Sequence, residues 1–133
     1  MAGTALRRAG SMCAVFTALL LGAQTATAAG MYDGTYHGQL TADGNNATTC
    51  AKAAPIQIVV TNDQLEYHHF NSAVIHTAVA SDGRFSGSAQ SAYSSGRNTP
   101  MILNLTGQIT GGAIAAKASV SNFCSYALSL KRF

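Results

Sequence analysis

The chain has no tryptophan, only two prolines and few charged residues, which make up 10% of its 133 residues. Its polarity comes instead from abundant serine, threonine and asparagine, which are weak helix formers. This composition disfavours long helices and is common in secreted β proteins. We therefore expect a β-rich domain with a surface that is polar through hydroxyl and amide groups.

The apolar run over residues 12–22 is too short to cross a membrane as a helix, which takes about 20 residues. It follows Arg7 and Arg8 and precedes a small-residue stretch that contains Ala26-Thr27-Ala28. This order is typical of a secretory signal peptide with an A-x-A cleavage site. The sequence predicts a signal peptide over residues 1–29, cut after Ala28 or Ala29, and one domain over residues 30–133. The expected location is periplasmic or secreted, with no integral membrane segment after processing.

Clusters of basic residues are absent. Without residues 1–29 the chain keeps six basic and five acidic residues, and its only adjacent basic pair is Lys131-Arg132. Nucleic-acid-binding surfaces are usually basic patches. We therefore expect no nucleic-acid partner.

Cysteine is scarce, and Cys13 falls within the predicted signal peptide, which leaves Cys50 and Cys124. Two cysteines in an exported chain favour a disulfide. The alternative, two free thiols or a two-cysteine metal site, has no further cysteine to support it. The bridge would close a loop of about 75 residues and contribute roughly 4 kcal/mol in the chain-entropy model.

Alternation of apolar and polar residues recurs along residues 35–131 and is interrupted by turn residues, which predicts eight strands. Asp82-Gly83 and Gly111-Gly112 suit two-residue hairpin turns, because such turns need positive φ. The predicted fold is all-β, an antiparallel meander in a small closed or nearly closed barrel, with a two-layer β-sandwich as the alternative. Cys50 follows the first strand and Cys124 begins the last, so a bridge would hold these two strands together at one end.

Histidines are the main candidates for a metal site. If the hairpin between the third and fourth strands turns at Asn71-Ser72, then His69 and His76 are diagonal neighbours on one sheet face. His68 points to the other face. A zinc site needs further ligands, and only His37 could supply a third imidazole. The plainer interpretation is that these are polar strand positions with a partly buried imidazole.

Three tyrosines occupy the apolar phase of their strands: Tyr36, Tyr67 and Tyr126. They can fill the core of a small barrel, or line its mouth and bind a ligand through their hydroxyl groups. Both interpretations are compatible with the sequence.

No catalytic pattern is present. The four aspartates fall at predicted turns, where their side chains bond to the local backbone, and only Glu66 lies inside a strand. No serine has the G-x-S-x-G context of a nucleophile, and no phosphate-binding loop occurs. We expect no catalytic residue and no cofactor.

Three segments carry a resemblance: Asp33-Gly34-Thr35-Tyr36-His37-Gly38, the run from Leu105-Thr106-Gly107 to Gly111-Gly112, and Cys124-Ser125-Tyr126 through Leu130-Lys131-Arg132. They resemble short exported hypothetical proteins of alphaproteobacteria. The resemblance implies bacterial export and a β fold, and it assigns no site residue.

Together these features predict an exported, non-enzymatic β-scaffold protein that binds a small apolar ligand or a protein or glycan partner. The alternative function is a metal-binding or metal-dependent protein that uses His37, His69 and His76.

Overall fold

The structure is a computed structural model that describes residues 29–44, 50–70, 73–91, 101–121 and 123–133. Residues 1–28 of the predicted signal peptide lie outside these ranges, as does the predicted loop over residues 93–100. Within the described ranges all regular structure is β, and no helix there could span a membrane.

The described residues form eight strands, in agreement with the sequence prediction. Their bounds are β1 Gly34–Ala42, β2 Ala53–Thr61, β3 Gln64–His69, β4 Ala73–Ala78, β5 Arg84–Ser91, β6 Met101–Thr110, β7 Ala113–Val120 and β8 Cys124–Arg132.

All strand pairs are antiparallel, and the hydrogen-bonded order is β4-β3-β2-β1-β8-β7-β6-β5. The first strand therefore lies in the middle of the sheet, with Gly38 opposite Ile56 of β2 and opposite Leu130 of β8. The two outermost strands, β4 and β5, lie beside each other. The fold is a nearly closed barrel, which confirms the predicted class.

The junction between β4 and β5 closes through side chains. Thr77 of β4 donates its hydroxyl hydrogen to the carbonyl of Ser86 in β5, at 2.7 Å. A Cβ atom on Gly87 would lie only 2.6 Å from Ile75 Cγ2 and 3.0 Å from Thr77 Cβ. We call this junction the seam; β4 and β5 pack there too closely for a larger residue at position 87.

The predicted two-residue hairpin at Asp82-Gly83 is wrong, because five residues, 79–83, connect β4 to β5. Gly83 has a φ of 85°, and its carbonyl accepts a hydrogen bond from the Ile109 amide of β6 at 2.9 Å. The connection is thereby tied to β6. The hairpin at Gly111-Gly112 is confirmed, with φ values of 56° and 76°.

Connections divide between the two ends of the barrel. The turn end carries residues 62–63, 79–83 and 111–112 together with the segment 29–33 that precedes β1. The opposite end, which we call the loop end, carries the ends of β1, β3, β5 and β7 and the starts of β2, β4, β6 and β8. Cys50 and Cys124 form the predicted disulfide at the loop end, with a Cα–Cα distance of 5.7 Å.

Alternate residues of each strand point inward and form a single core. Because side chains in a strand alternate between the two faces, the apolar phase of the sequence becomes the interior. The largest side chains that are fully buried are Tyr36, Tyr67, Leu40, Ile58, Leu65, Ile75, Leu103, Leu105, Ile114, Leu130 and Val60.

Candidate functional site

The three tyrosines predicted from the sequence as core or ligand-binding residues are all buried. The Tyr36 hydroxyl donates to the Tyr32 carbonyl at 2.7 Å, at the turn end. Tyr67 and Tyr126 meet near the loop end instead, where each lies beside the His69 ring. The structure therefore brings two of the three together and places the Tyr36 hydroxyl elsewhere.

Tyr67, Tyr126 and His69 form a buried polar cluster. The Tyr67 hydroxyl lies 2.8 Å from His69 Nδ1, and the His69 and Tyr126 ring centroids are 5.5 Å apart. Burial lowers the pKa of His69 to about 4, and it raises the pKa of both tyrosines. All three side chains are uncharged at neutral pH, so the cluster is suited to hydrogen bonding inside the core.

The predicted pairing of His69 with His76 on one face is wrong. His69 lies opposite Ala73, and His76 lies opposite Glu66. His69 is buried, whereas His76 is exposed on the outer face. Three residues, 70–72, separate β3 from β4, one more than a two-residue turn at Asn71-Ser72. One extra residue moves a side chain to the opposite face of a sheet.

His37 does not complete a metal site either. It is exposed on β1 and packs edge-to-face against Phe133, with ring centroids 5.1 Å apart. Across the described residues, no group of three or more His, Cys, Asp or Glu side chains is arranged to hold a metal ion. The three imidazoles therefore lie in three separate environments.

A carboxylate between two imidazoles lies on the outer face of β3 and β4. Glu66 Oε1 is 2.5 Å from His68 Nε2, and Glu66 Oε2 is 3.7 Å from His76 Nδ1. The hydrogen bond from His68 is the main cause of the lowered pKa of Glu66. This cluster was not predicted from the sequence, although the i, i+2 spacing of Glu66 and His68 places both on one face of a strand.

This cluster borders a small depression of about 400 Å³ on the outside of β2 and β3. Phe70, which is 48% exposed, lines it together with Pro55 and Val59. The Glu66 and His68 side chains are half-exposed to water, where ion pairs contribute little to binding or stability. The depression is therefore a minor site.

The larger concavity, about 860 Å³, lies across the outside of β5 to β8. Its floor follows one row of the sheet, in which Ser86 faces Thr106, Thr106 faces Lys117, and Lys117 faces Ala127. We call this concavity the outer groove. A second row crosses the same strands and contains Arg84, Gln108 and Ala115.

Small side chains make the outer groove concave. Ala115 and Ala127 contribute only methyl groups to its lining, while Arg84, Gln108 and Lys117 are long side chains in the same two rows. Arg84 Nε lies 3.6 Å from Asp82 Oδ2, and Lys117 Nζ lies 3.8 Å from Asp43 Oδ2. Because each cation has a carboxylate near it, the groove offers hydrogen-bond donors and acceptors with little net charge.

Sequence reasoning missed the outer groove because its residues are far apart in the chain. Ser86, Thr106, Lys117 and Ala127 become one row only through the register of three strand pairs. The only local indication of the groove in the sequence was a series of small and hydroxylated residues at the outward-facing positions of these strands.

Comparison with protein families, curated proteins and solved structures finds no match to this chain.

Proposed function

We propose that this is an exported, non-enzymatic β-scaffold protein that binds a protein or glycan partner in the outer groove. Export to the periplasm or the medium is supported by the Cys50–Cys124 disulfide, because disulfides persist in oxidising compartments. The signal-peptide pattern and the resemblance to exported proteins of alphaproteobacteria point the same way.

The observation that carries the binding proposal is the contrast between the two faces of the sheet. The inward face presents large, fully buried side chains such as Tyr67 and Leu105. The outward face of β5 to β8 presents a concavity of about 860 Å³ whose lining includes short side chains such as Ser86, Ala115 and Ala127. This contrast favours a partner bound on the outer surface over a small apolar ligand bound inside the barrel.

The shape and chemistry of the groove suit an extended, weakly charged chain. Ser86, Thr106 and Gln108 offer hydroxyl and amide groups along two neighbouring rows, and Ala115 and Ala127 leave room between them. A peptide in extended conformation or a glycan strand would present its own polar groups to these side chains at regular intervals.

The test fills the groove without changing the core. Ala115 is exposed on the outer face and lines the groove, so Ala115→Gln should preserve the fold and fill part of the groove. Ala53→Gln is the matched control, because Ala53 is also exposed but lies on β2, outside the groove. Wild type and both variants would be screened on arrayed glycans and on a displayed library of unstructured peptides.

We expect the screens to find binders of the wild type. Their affinity for Ala115→Gln should be at least about tenfold lower, roughly 1.4 kcal/mol, whereas their affinity for Ala53→Gln should be unchanged. Binders that tolerate Ala115→Gln would contradict the assignment of the groove. The absence of any binder in either library would contradict the proposed class of partner.

A further inference from the structure

The segment before β1 is held against the turn end of the barrel. The Asp33 amide donates to the Gly30 carbonyl at 3.1 Å, and the Tyr32 hydroxyl donates to the Ser81 carbonyl at 2.7 Å. Gly30 is half-buried there. The backbone of residue 30 therefore has a fixed position relative to the turn at residues 62–63.

Two carboxylates lie against Gly30. A Cβ atom on this residue would overlap Asp63 Oδ1 and would lie only 2.6 Å from Asp33 Oδ1. The Asp33 carboxylate accepts the amides of Asn62 and Asp63, at 2.9 and 3.0 Å. These hydrogen bonds lower the pKa of Asp33, and the bond from the Asp63 amide has the largest effect. The Gly30 amide lowers this pKa further. Gly30 is thus in close contact with both carboxylates.

Asp63 Oδ1 is buried and has no hydrogen-bond partner among the described residues. Burying a carboxylate oxygen without a donor is costly. A peptide N–H at residue 30 has one hydrogen, which cannot serve both the Asp33 and the Asp63 carboxylate. An amino terminus at the same nitrogen has three hydrogens and a positive charge, enough to serve both carboxylates.

We propose that the chain is cut between Ala29 and Gly30 and that the new ammonium group of Gly30 binds the carboxylates of Asp33 and Asp63. One water molecule hydrolyses the peptide bond, leaving a carboxylate on Ala29 and an amine on Gly30 that takes up a proton. This inference rests on the proposed export. Ala26-Thr27-Ala28 alone favours a cut one residue earlier, but a retained Ala29 would move the ammonium group away from the two carboxylates.

One cation and two phenols also face this site. Arg132 of β8 donates from Nη1 to the carbonyls of Met31 and Asp33, at 3.4 and 3.3 Å, and the hydroxyl groups of Tyr32 and Tyr36 donate to the carbonyls of Ser81 and Tyr32. The Arg132 charge opposes protonation of the amine, whereas the two carboxylates favour it. Since two negative charges outweigh one positive charge, the pKa of the Gly30 amine lies above the usual range of about 7.7–8.0 for an amino terminus.

The first test is the amino-terminal sequence of the protein exported from the full-length chain in a Gram-negative host. We expect Gly30-Met31-Tyr32-Asp33. A start at Ala29 or further along would overturn the inference and leave the proposed export standing. A chain that stays in the cytoplasm with Met1 attached would overturn both.

The second test measures the titration of the amino terminus by its rate of acetylation against pH, read by peptide mass. In the folded wild type we expect the midpoint to lie about one unit above that of the urea-unfolded protein. Asp63→Asn should remove most of the difference. Asp43→Asn, which changes an aspartate at the loop end, should leave it intact.

A purely structural role for Asp63 would change stability but not this midpoint. A wild-type midpoint equal to that of the unfolded protein would overturn the ion pair. If Asp63→Asn is not exported in folded form, the titration midpoints of the folded and the unfolded wild type decide by themselves whether the ion pair forms.

Discussion

At the scale of single residues, His69 shows how burial changes the chemistry of a side chain. It is 4% exposed, and the Tyr67 hydroxyl lies 2.8 Å from its Nδ1 atom. Burial penalises the charged imidazolium, which is why the pKa of His69 falls to about 4. His76, seven residues later, points into solvent. The two imidazoles therefore differ in environment, although the sequence presents both as strand histidines.

Replacing His69 should change how the stability of the protein depends on pH. In the unfolded chain His69 titrates near 6.5 and in the folded protein near 4, so between these values the unfolded state binds more protons. The free energy of unfolding then falls as pH drops from about 6.5 to about 4, by up to about 3 kcal/mol.

Urea unfolding across this pH range would measure the effect. His69→Phe should flatten the slope, whereas His76→Gln, a change at an exposed imidazole, should preserve it. An unchanged slope in His69→Phe would show that another group causes the acid sensitivity.

At the scale of elements, the seam between β4 and β5 is the least regular part of the sheet. Elsewhere neighbouring strands are joined by ladders of backbone hydrogen bonds. At the seam, Thr77 bonds to the Ser86 carbonyl, and Gly87 leaves the space into which Ile75 and Thr77 pack. The closure of the barrel at this point therefore depends on side-chain packing.

Adding one methyl group at the seam should destabilise the barrel. Gly87→Ala places a Cβ 2.6 Å from Ile75 Cγ2, and such overpacking costs about 1–3 kcal/mol. Ser88→Ala is the control, because Ser88 lies on the same strand and is exposed; it should change stability by less than about 0.5 kcal/mol. Urea unfolding compares the two, and equal stability of Gly87→Ala and wild type would contradict the packing of the seam.

The strands could be predicted because their signals are local. Alternation within β1 or β6 and the glycine pair at 111–112 specify a strand or a turn without reference to the remaining chain. The face of His76 could not be predicted, since it depends on whether two or three residues separate β3 from β4. The outer groove was still harder to predict from the sequence, because its shape depends on the register of four strands at once.

At the scale of the whole molecule, the disulfide and the β1–β8 ladder connect the same two strands. Cys50 follows β1 and Cys124 begins β8, and Leu40 lies opposite Leu128 along the ladder between those strands. The ladder fixes the strand pairing, and the bridge restricts the unfolded chain across 74 residues of sequence separation. The effect of the bridge on stability can therefore be measured separately from the effect of the ladder on strand pairing.

Reduction should lower stability without changing strand pairing. The loss expected for a loop of this length is about 4 kcal/mol in the chain-entropy model. Thermal unfolding with and without reductant measures it, and the double variant Cys50→Ser/Cys124→Ser should melt with the reduced wild type. Far-UV circular dichroism below the transition should be the same in all forms. Equal melting temperatures for reduced and oxidised protein would contradict a stabilising bridge.

The proposed export of this chain and the Cys50–Cys124 disulfide that cross-links its nearly closed barrel are both tested by the intact mass of the exported protein. The protein would be expressed from the full-length chain in a Gram-negative host and isolated from the periplasm or medium with thiols blocked by an alkylating reagent. We predict the mass of residues 30–133 minus two hydrogens, with no alkyl group added. A mass that includes Met1, or one that carries two alkyl groups, would contradict the account.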